Sequence, residues 1–355
     1  MSKSTDDRVA LNAQEFLAPA LGFAIFQISA TTARLGIPDL LGEAGRTAAE
    51  LAAECGTHEP SLFRLLRAAA AVGLLEMSDE GRFSLTTLGS MFRTDSPTRA
   101  TDAVTLNSSA PVWQAWGGLA DAVRTGDPAF DCAHGMGIFD YIERDPQLAK
   151  EFHAAMASGT ESQIPLLVPH YDFGDAKHLI DIGGGDGTHL AAILNTDPTL
   201  RGTVFDTASG LLKAPSVLAK AGVADRCDTV VGDFFSAVPE GGDVYLIKNT
   251  LTDWNDESCI KILSTCRRAM RPDSRIMVIA TLMPEDIATQ QADDVLAAAI
   301  FDISLMVLTT GEERTLRQYE QLFTASGLQL GNVTPITRTT SQHTMLYHAV
   351  EALPA

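Results

Sequence analysis

Positive charge is scarce in this chain. Lys and Arg number 26 against 45 Asp and Glu, a formal net charge of −19. Binding to a phosphate backbone needs clustered Lys and Arg, so nucleic acid is excluded as a partner. Cysteine is sparse and scattered: Cys55, Cys132, Cys227, Cys259 and Cys266 include no C-x-x-C pair. That excludes a disulfide framework and fits reduced thiols in the cytoplasm. The eight histidines show no H-x-x-x-H spacing and no paired carboxylates are spaced to seat a divalent ion, so no metal site is expected. Long apolar runs are missing too. The stretch 16–35 is interrupted by Pro19, Gln27 and Arg34, which excludes a membrane span. Asp6 and Asp7 precede any apolar run, unlike a secretory signal. What remains is 355 residues, 45% hydrophobic and 20% charged. That describes a globular chain of two domains, or of one large domain with an appendage.

The most informative stretch is H-L-I-D-I-G-G-G-D-G-T-H-L, residues 178–190. An apolar run breaks into glycines and then into an Ala/Leu-rich segment: a strand, a tight turn and a helix start. Such a turn offers exposed backbone N–H groups to a nucleotide-like ligand. The glycines fall at Gly183, Gly185 and Gly187, and Thr188 occupies the place of the third dinucleotide glycine. That spacing suits a ligand with no pyrophosphate to seat. Three further strand-like runs end in useful chemistry. Residues 202–205 lead to Asp206, placed to accept both hydroxyls of a ribose. Residues 228–231 lead to Gly232-Asp233-Phe234, a carboxylate for an adenine amino group beside a flat apolar ring. Residues 243–247 lead to Lys248, a cation for a ligand carboxylate. Together these strand ends describe a site for S-adenosylmethionine.

Upstream, residues 12–35 read as a long apolar helix ended by Gly36-Ile37-Pro38. A helix this apolar needs a cover, and a second subunit is expected to supply it. From Thr47 the pattern is helix, turn, helix, hairpin. Thr47 and Glu50 have capping-box spacing, Gly56 ends the first helix and Pro60 opens the second. Residues 74–77 and 82–85 flank a Ser-Asp-Glu-Gly turn. This is a winged-helix arrangement, but Arg64 and Arg67 alone do not make a DNA-reading helix. Residues 100–171 read as helices carrying Trp113, Trp116, Phe139, Tyr141 and Phe152, either as core or as the roof of a pocket. The α/β region begins at Ala176 and closes with two strands, 331–336 and 344–350, expected as a hairpin on the sheet edge.

The glycine turn, Asp206, Gly232-Asp233-Phe234, Lys248, the run L-T-D-W-N-D-E-S from Leu251 and G-E-E-R-T from Gly311 together resemble the caffeic acid-type O-methyltransferases, in particular their bacterial natural-product branch. The resemblance covers nearly the whole chain. It implies an α/β fold, a Rossmann-like methyltransferase domain over 174–355. An N-terminal winged-helix-like dimerisation domain would occupy 1–100, and linking helices over 101–173 would roof the substrate pocket. It also implies a homodimer, S-adenosylmethionine as cofactor and a small aromatic or polyketide-like acceptor, with 300–310 helping to line the pocket. By position, Gly183 and Gly185 would face the methionine part, Asp206 the ribose, Asp233 and Phe234 the adenine, and Lys248 would sit against the cofactor. Asn107, Phe152 and Met156 fall where the family contacts its acceptor, and Thr252 is expected at the acceptor as well.

The chain departs from the family where the chemistry is done. The family's base is the histidine of L-H-D-W, oriented by a carboxylate at the end of the following strand. Here the motif reads Leu251-Thr252-Asp253-Trp254, and the strand 275–280 ends in Thr281. Only the second family carboxylate, Glu313, is kept. A threonine hydroxyl does not act as a base near pH 7. Three readings stay open. The acceptor needs no strong base and alignment drives methyl transfer to oxygen, carbon or nitrogen; another group, His153, Asp253 or Glu313, takes the proton; or the fold binds the cofactor for a hydroxylation, decarboxylation or rearrangement, or for no catalysis at all.

Overall fold

Apolar periodicity and capping residues build the first part of the chain. The computed structural model describes residues 20–42, 44–286, 292–339 and 344–355. Contacts divide the chain into two units, Met1–Ser109 and Ala110–Ala355. In the first, α1 (Gly22–Arg34) is the described part of the expected long helix; residues 12–19 lie outside the described residues. A complete capping box of Thr47 and Glu50 starts α2 (Ala48–Cys55), and Gly56 ends it in the left-handed region. Pro60 lies in the first turn of α3 (Glu59–Ala71). The expected hairpin is present as β2 (Leu75–Met77) and β3 (Arg82–Leu85). A two-residue strand not foreseen, β1 (Arg46–Thr47), pairs with the outer side of β3. Ile37, Leu51, Leu66 and Phe83 are fully buried at the centre of this unit. The helix α4 (Ala100–Asn107) belongs to it as well.

The second unit opens with short helices, among them Ile138–Ile142, and then the long α5 (Pro146–Leu167), capped by the Asp145 carboxylate. Its centre is a sheet of seven strands among the described residues. These are β4 (His178–Ile182), β5 (Arg201–Asp206), β6 (Cys227–Val231), β7 (Val244–Lys248), β8 (Arg275–Thr281), β9 (Leu328–Thr339) and β10 (Thr344–Pro354). The order is β6-β5-β4-β7-β8-β10-β9, parallel up to β8 and antiparallel beyond it. The closing hairpin therefore lies at the sheet edge, as expected, with β9 outermost.

Alternation places the two faces in different cores. On β4, Leu179 packs with Leu190, Val204 and Leu246, while Ile180 and Ile182 pack with Tyr245, Ile247 and Ile262 on the opposite face. Residues of one strand point to the two faces in turn, and helices cover both. The crossover helices relevant to the site are α6 (Thr188–Leu194), α7 (Asp256–Ala269), α8 (Ala292–Leu308) and α9 (Leu316–Ala325). The order reverses at β4, with β5 on one side and β7 on the other. In open α/β sheets ligands bind outside the carboxyl ends of the strands at this point. No helix among the described residues is long and apolar enough to cross a membrane.

Candidate active site

The turn after β4 is held open by three glycines with positive φ: Gly183 at 72°, Gly185 at 56° and Gly187 at 76°. The Gly183 N–H donates to the Phe205 carbonyl at 2.9 Å, and the Gly185 N–H to Asp206 Oδ2 at 2.8 Å. Asp206 is thus fixed against the turn, and its Oδ1 accepts the Thr207 N–H at 2.6 Å. A carboxylate has about four acceptor positions. Two are used within the protein, and the rest remain for a ligand's hydroxyls. Nothing lies within 4 Å of where a side chain on Gly185 would begin, so the turn faces open space.

Beneath the turn lies a buried polar group that the sequence reading missed apart from Lys248. Burial pushes the Asp181 carboxyl up to about 7, against the opposing pull of Lys248. Burial likewise lowers Lys248 to about 8, with Asp181 holding it up. The Lys248 ammonium donates to Gln163 Oε1 at 3.4 Å, and Gln163 Nε2 donates to the Tyr347 hydroxyl at 2.8 Å. A charged residue inside the apolar run L-I-D-I was the available signal for Asp181.

The turn after β6 makes the Asp233 carboxylate an internal cap. It accepts the Phe235 N–H at 2.9 Å and the Ser236 hydroxyl at 2.8 Å. Phe234 and Phe235 lie edge-on to Trp254, with ring centroids 6.0 and 4.8 Å away. Trp254 stacks on Phe139 at 5.2 Å and 23°, and Phe139 meets Phe152 edge-on at 6.1 Å. These rings form one aromatic wall from the end of β6 to α5. Trp254 and Phe139 carry its middle; the sequence left Phe139 open as core or pocket roof and gave Trp254 no role beyond its motif.

The candidate catalytic residues fall into two groups. Thr252 is buried, and its hydroxyl donates to the Asn249 carbonyl at 2.9 Å. Beside it, burial pushes Asp253 up to about 7. Glu313 is only 6% exposed, and burial, with Asp302 and Asp253 adding repulsion, pushes it up to about 8. Asp253 and Glu313 are therefore brought together. His153 is elsewhere: the charges acting on it are those of Asp206, Lys213, Glu143 and Asp186, and burial lowers its pKa. Its Nε2 is buried with no partner among the described residues. The Ser209 hydroxyl donates to Glu143 in the same neighbourhood. Met156, one turn along α5 from Phe152, is half exposed. Asn107 lies in the first unit, where its side-chain amide donates to the Ala103 carbonyl at 2.9 Å. The segment 300–310, expected to line a pocket, is mostly helical: α8 buries Leu305 and Val307 and exposes Ile300 and Phe301.

Residues 116–329 match the O-methyltransferase domain and residues 18–95 the O-methyltransferase dimerisation domain. The chain is 35% identical over 314 residues to the phenazine O-methyltransferase PhzM of Lysobacter antibioticus, covering 88% of this chain and 90% of that protein. The structure of the mitomycin 7-O-methyltransferase MmcR superposes with a TM-score of 0.89 at 33% identity, over 99% of this chain and 100% of that one. The O-methyltransferase NcsB1 from neocarzinostatin biosynthesis, solved with S-adenosylmethionine and 2-hydroxy-5-methyl naphthoic acid, superposes with a TM-score of 0.79 at 28% identity, over 93% and 96%. With its own dimerisation domain and a cofactor turn of the kind just described, this chain belongs to the O-methyltransferase family and is an S-adenosylmethionine-dependent methyltransferase.

Proposed function

We propose that this enzyme methylates a hydroxyl, or an amine or electron-rich ring carbon, on a small flat aromatic acceptor of natural-product type, working as a homodimer in the cytoplasm. The observation that carries this reading is the aromatic wall Phe234–Trp254–Phe139–Phe152, which begins at the end of β6 and ends on α5. Stacked and edge-on rings are surfaces on which a planar aromatic molecule gains dispersion and quadrupole contacts.

The residues present fit the cofactor. Gly185 opens the turn toward a ligand, Asp206 has acceptor positions left for a ribose, and the Asp181–Lys248 pair would meet an amino-acid group. Phe234 supplies a face for adenine, and Asp233 a carboxylate whose oxygens are shared with Phe235 and Ser236. When bound, S-adenosylmethionine supplies an electrophilic methyl group on a sulfonium. His153, grouped with Asp206, borders the ribose, so its unpartnered Nε2 meets the cofactor and not the acceptor. Phe152 and Met156 hold the acceptor ring. Thr252 shapes the turn that carries Asp253. Alignment of the acceptor and exclusion of water then do much of the catalytic work.

The test is incubation with methyl-labelled S-adenosylmethionine and a panel of naphthols, hydroxybenzoates and aromatic amines. Label is expected in at least one acceptor. A protein that binds the cofactor yet labels none of them would overturn the reading.

A further inference from the structure

We propose that Glu313 is the proton acceptor of the reaction, in place of a histidine at Thr252. This assignment rests on the methyl-transfer reading and extends it to the residue that removes the acceptor's proton.

The geometry comes first. The segment 311–314 is clamped on the turn 251–254 from both sides of Glu313. At one end, a Cβ on Gly311 would sit 1.8 Å from the Thr252 carbonyl oxygen, so only glycine lets the two backbones meet. At the other end, Arg314 is fully buried and donates to the carbonyls of Leu251 at 2.9 Å and Trp254 at 2.8 Å. Its remaining donors go to Asp256, at 2.9 and 3.1 Å. The Glu313 N–H is tied to Asp302 Oδ1 at 2.8 Å. The backbone of Glu313 is thus pinned beside the Thr252–Asp253 turn. The Thr252 hydroxyl is already committed to Asn249. Glu313 Oε2, by contrast, is buried without a hydrogen-bond partner among the described residues. A buried carboxyl oxygen left unpaired costs free energy unless a ligand pairs it. An acceptor hydroxyl would do so.

The charges around it suit the task. Asp253 faces Glu313 from the turn after β7, Asp302 from α8, Tyr319 from α9 and Tyr347 from β10. Arg314 and Glu312 neighbour it in the chain, and the Arg314 guanidinium is directed to Asp256 and the turn carbonyls. The pull of the Arg314 guanidinium on Glu313 opposes the rise, and burial with the two carboxylates outweighs it. With its carboxyl raised to about 8 by burial and by these carboxylates, Glu313 is a far stronger base than an exposed glutamate. A base poised near the working pH is the most effective. In the step itself the acceptor O–H breaks and its proton passes to the Glu313 carboxylate. The oxygen's electron pair forms the new O–CH3 bond, and the C–S pair returns to sulfur, leaving S-adenosylhomocysteine. Glu313 then releases its proton to solvent.

The experiment compares the enzyme with Glu313→Gln on two acceptors of one skeleton: a naphthol, and its nitro derivative that is already ionised at the assay pH. For the naphthol, single-turnover methyl transfer is expected to fall about a hundredfold or more, within the range of general-base contributions. For the ionised acceptor the fall is expected to stay within about tenfold, since no proton is left to remove. Glu313→Asp should recover part of the naphthol rate, and S-adenosylmethionine affinity, read by calorimetry, should hold in both variants. The wild-type rate should rise with pH and level off above about 8, and the Gln variant should lose that dependence. Equal losses on both acceptors, or no loss on either, would overturn the assignment alone. No transfer by the unaltered enzyme to either acceptor would overturn the methyl-transfer reading and this assignment with it.

Discussion

Removing the Asp206 carboxylate tests the cofactor site most directly. In the fold, Oδ2 accepts the Gly185 N–H at 2.8 Å and Oδ1 the Thr207 N–H at 2.6 Å. Both donors border solvent: Gly185 is half-buried and Thr207 exposed. Water therefore replaces the lost acceptor in Asp206→Ala, and the cost to folding should stay near about 1 kcal/mol per bond. The cost to binding is larger. Two ribose hydroxyls donating to a carboxylate are charge-assisted bonds worth about 1.5–3 kcal/mol each. Water in the vacated space recovers part of that sum. The expected net loss is about 3 kcal/mol, or about a hundredfold in Kd at 1.4 kcal/mol per tenfold. Titration calorimetry with S-adenosylmethionine and with S-adenosylhomocysteine should show the same loss for both, because the ribose is common to them. A folded Asp206→Ala protein whose Kd moves less than about threefold would refute the placement of the ribose, and with it the pocket built around this turn.

Three more substitutions, at His153, Glu313 and Gly311, give further predictions. His153→Ala should weaken S-adenosylmethionine several-fold while leaving turnover at saturating cofactor within about threefold; a hundredfold drop in turnover would return the role of base to His153. Glu313 has a pKa of about 8 in the fold against an ordinary 4.5. Its contribution to stability is therefore fully present below 4.5 and is lost as pH rises through 8. Glu313→Gln should accordingly gain in melting temperature over wild type as the buffer is raised from pH 5 to 8.5, and a constant difference would contradict the raised pKa. Gly311→Ala forces a Cβ to 1.8 Å from the Thr252 oxygen. The segments must then part, at about 1–3 kcal/mol, and denaturant unfolding at wild-type stability would show that the clamp is not tight.

Much of this was legible because it is local. Apolar runs alternating onto two faces, glycines at a strand end, and acidic residues at strand tips are short-range patterns. They led to β4–β8, to the turn and to Asp206. The capping box at Thr47 and the closing hairpin were legible for the same reason. What failed to show in the sequence depends on residues far apart in the chain. Arg314 reaches back 63 positions to the Leu251 carbonyl, and Gln163 reaches 184 positions forward to Tyr347. Neither pairing leaves a spacing to read. The separation of His153 from Asp253 and Glu313 is of the same kind. Phe152 meets Phe139, while the next residue along α5, His153, comes within reach of the charge on Asp206. The two-residue β1 is too short to carry a period and forms only because β3 offers it an edge.

The threonine at 252 then has a physical explanation. A histidine base needs a partner carboxylate to fix its tautomer, and the strand that would supply one ends here in Thr281, opposite Tyr347 in the β8–β10 ladder. Without that partner a histidine at 252 would keep only one of its two family carboxylates, Glu313. Threonine instead closes the turn on Asn249, whose φ of 54° marks a left-handed residue that benefits from a local bond. The carboxylate that persists, Glu313, keeps its clamp from Gly311 and Arg314. An exposed glutamate would be too weak a base for a phenol. Burial beside Asp253 and Asp302 corrects that deficit by destabilising the ionised form. The same desolvation that makes Glu313 costly to the fold at pH 8 therefore makes it able to take a proton, so stability and turnover should respond to pH in opposite directions over one range.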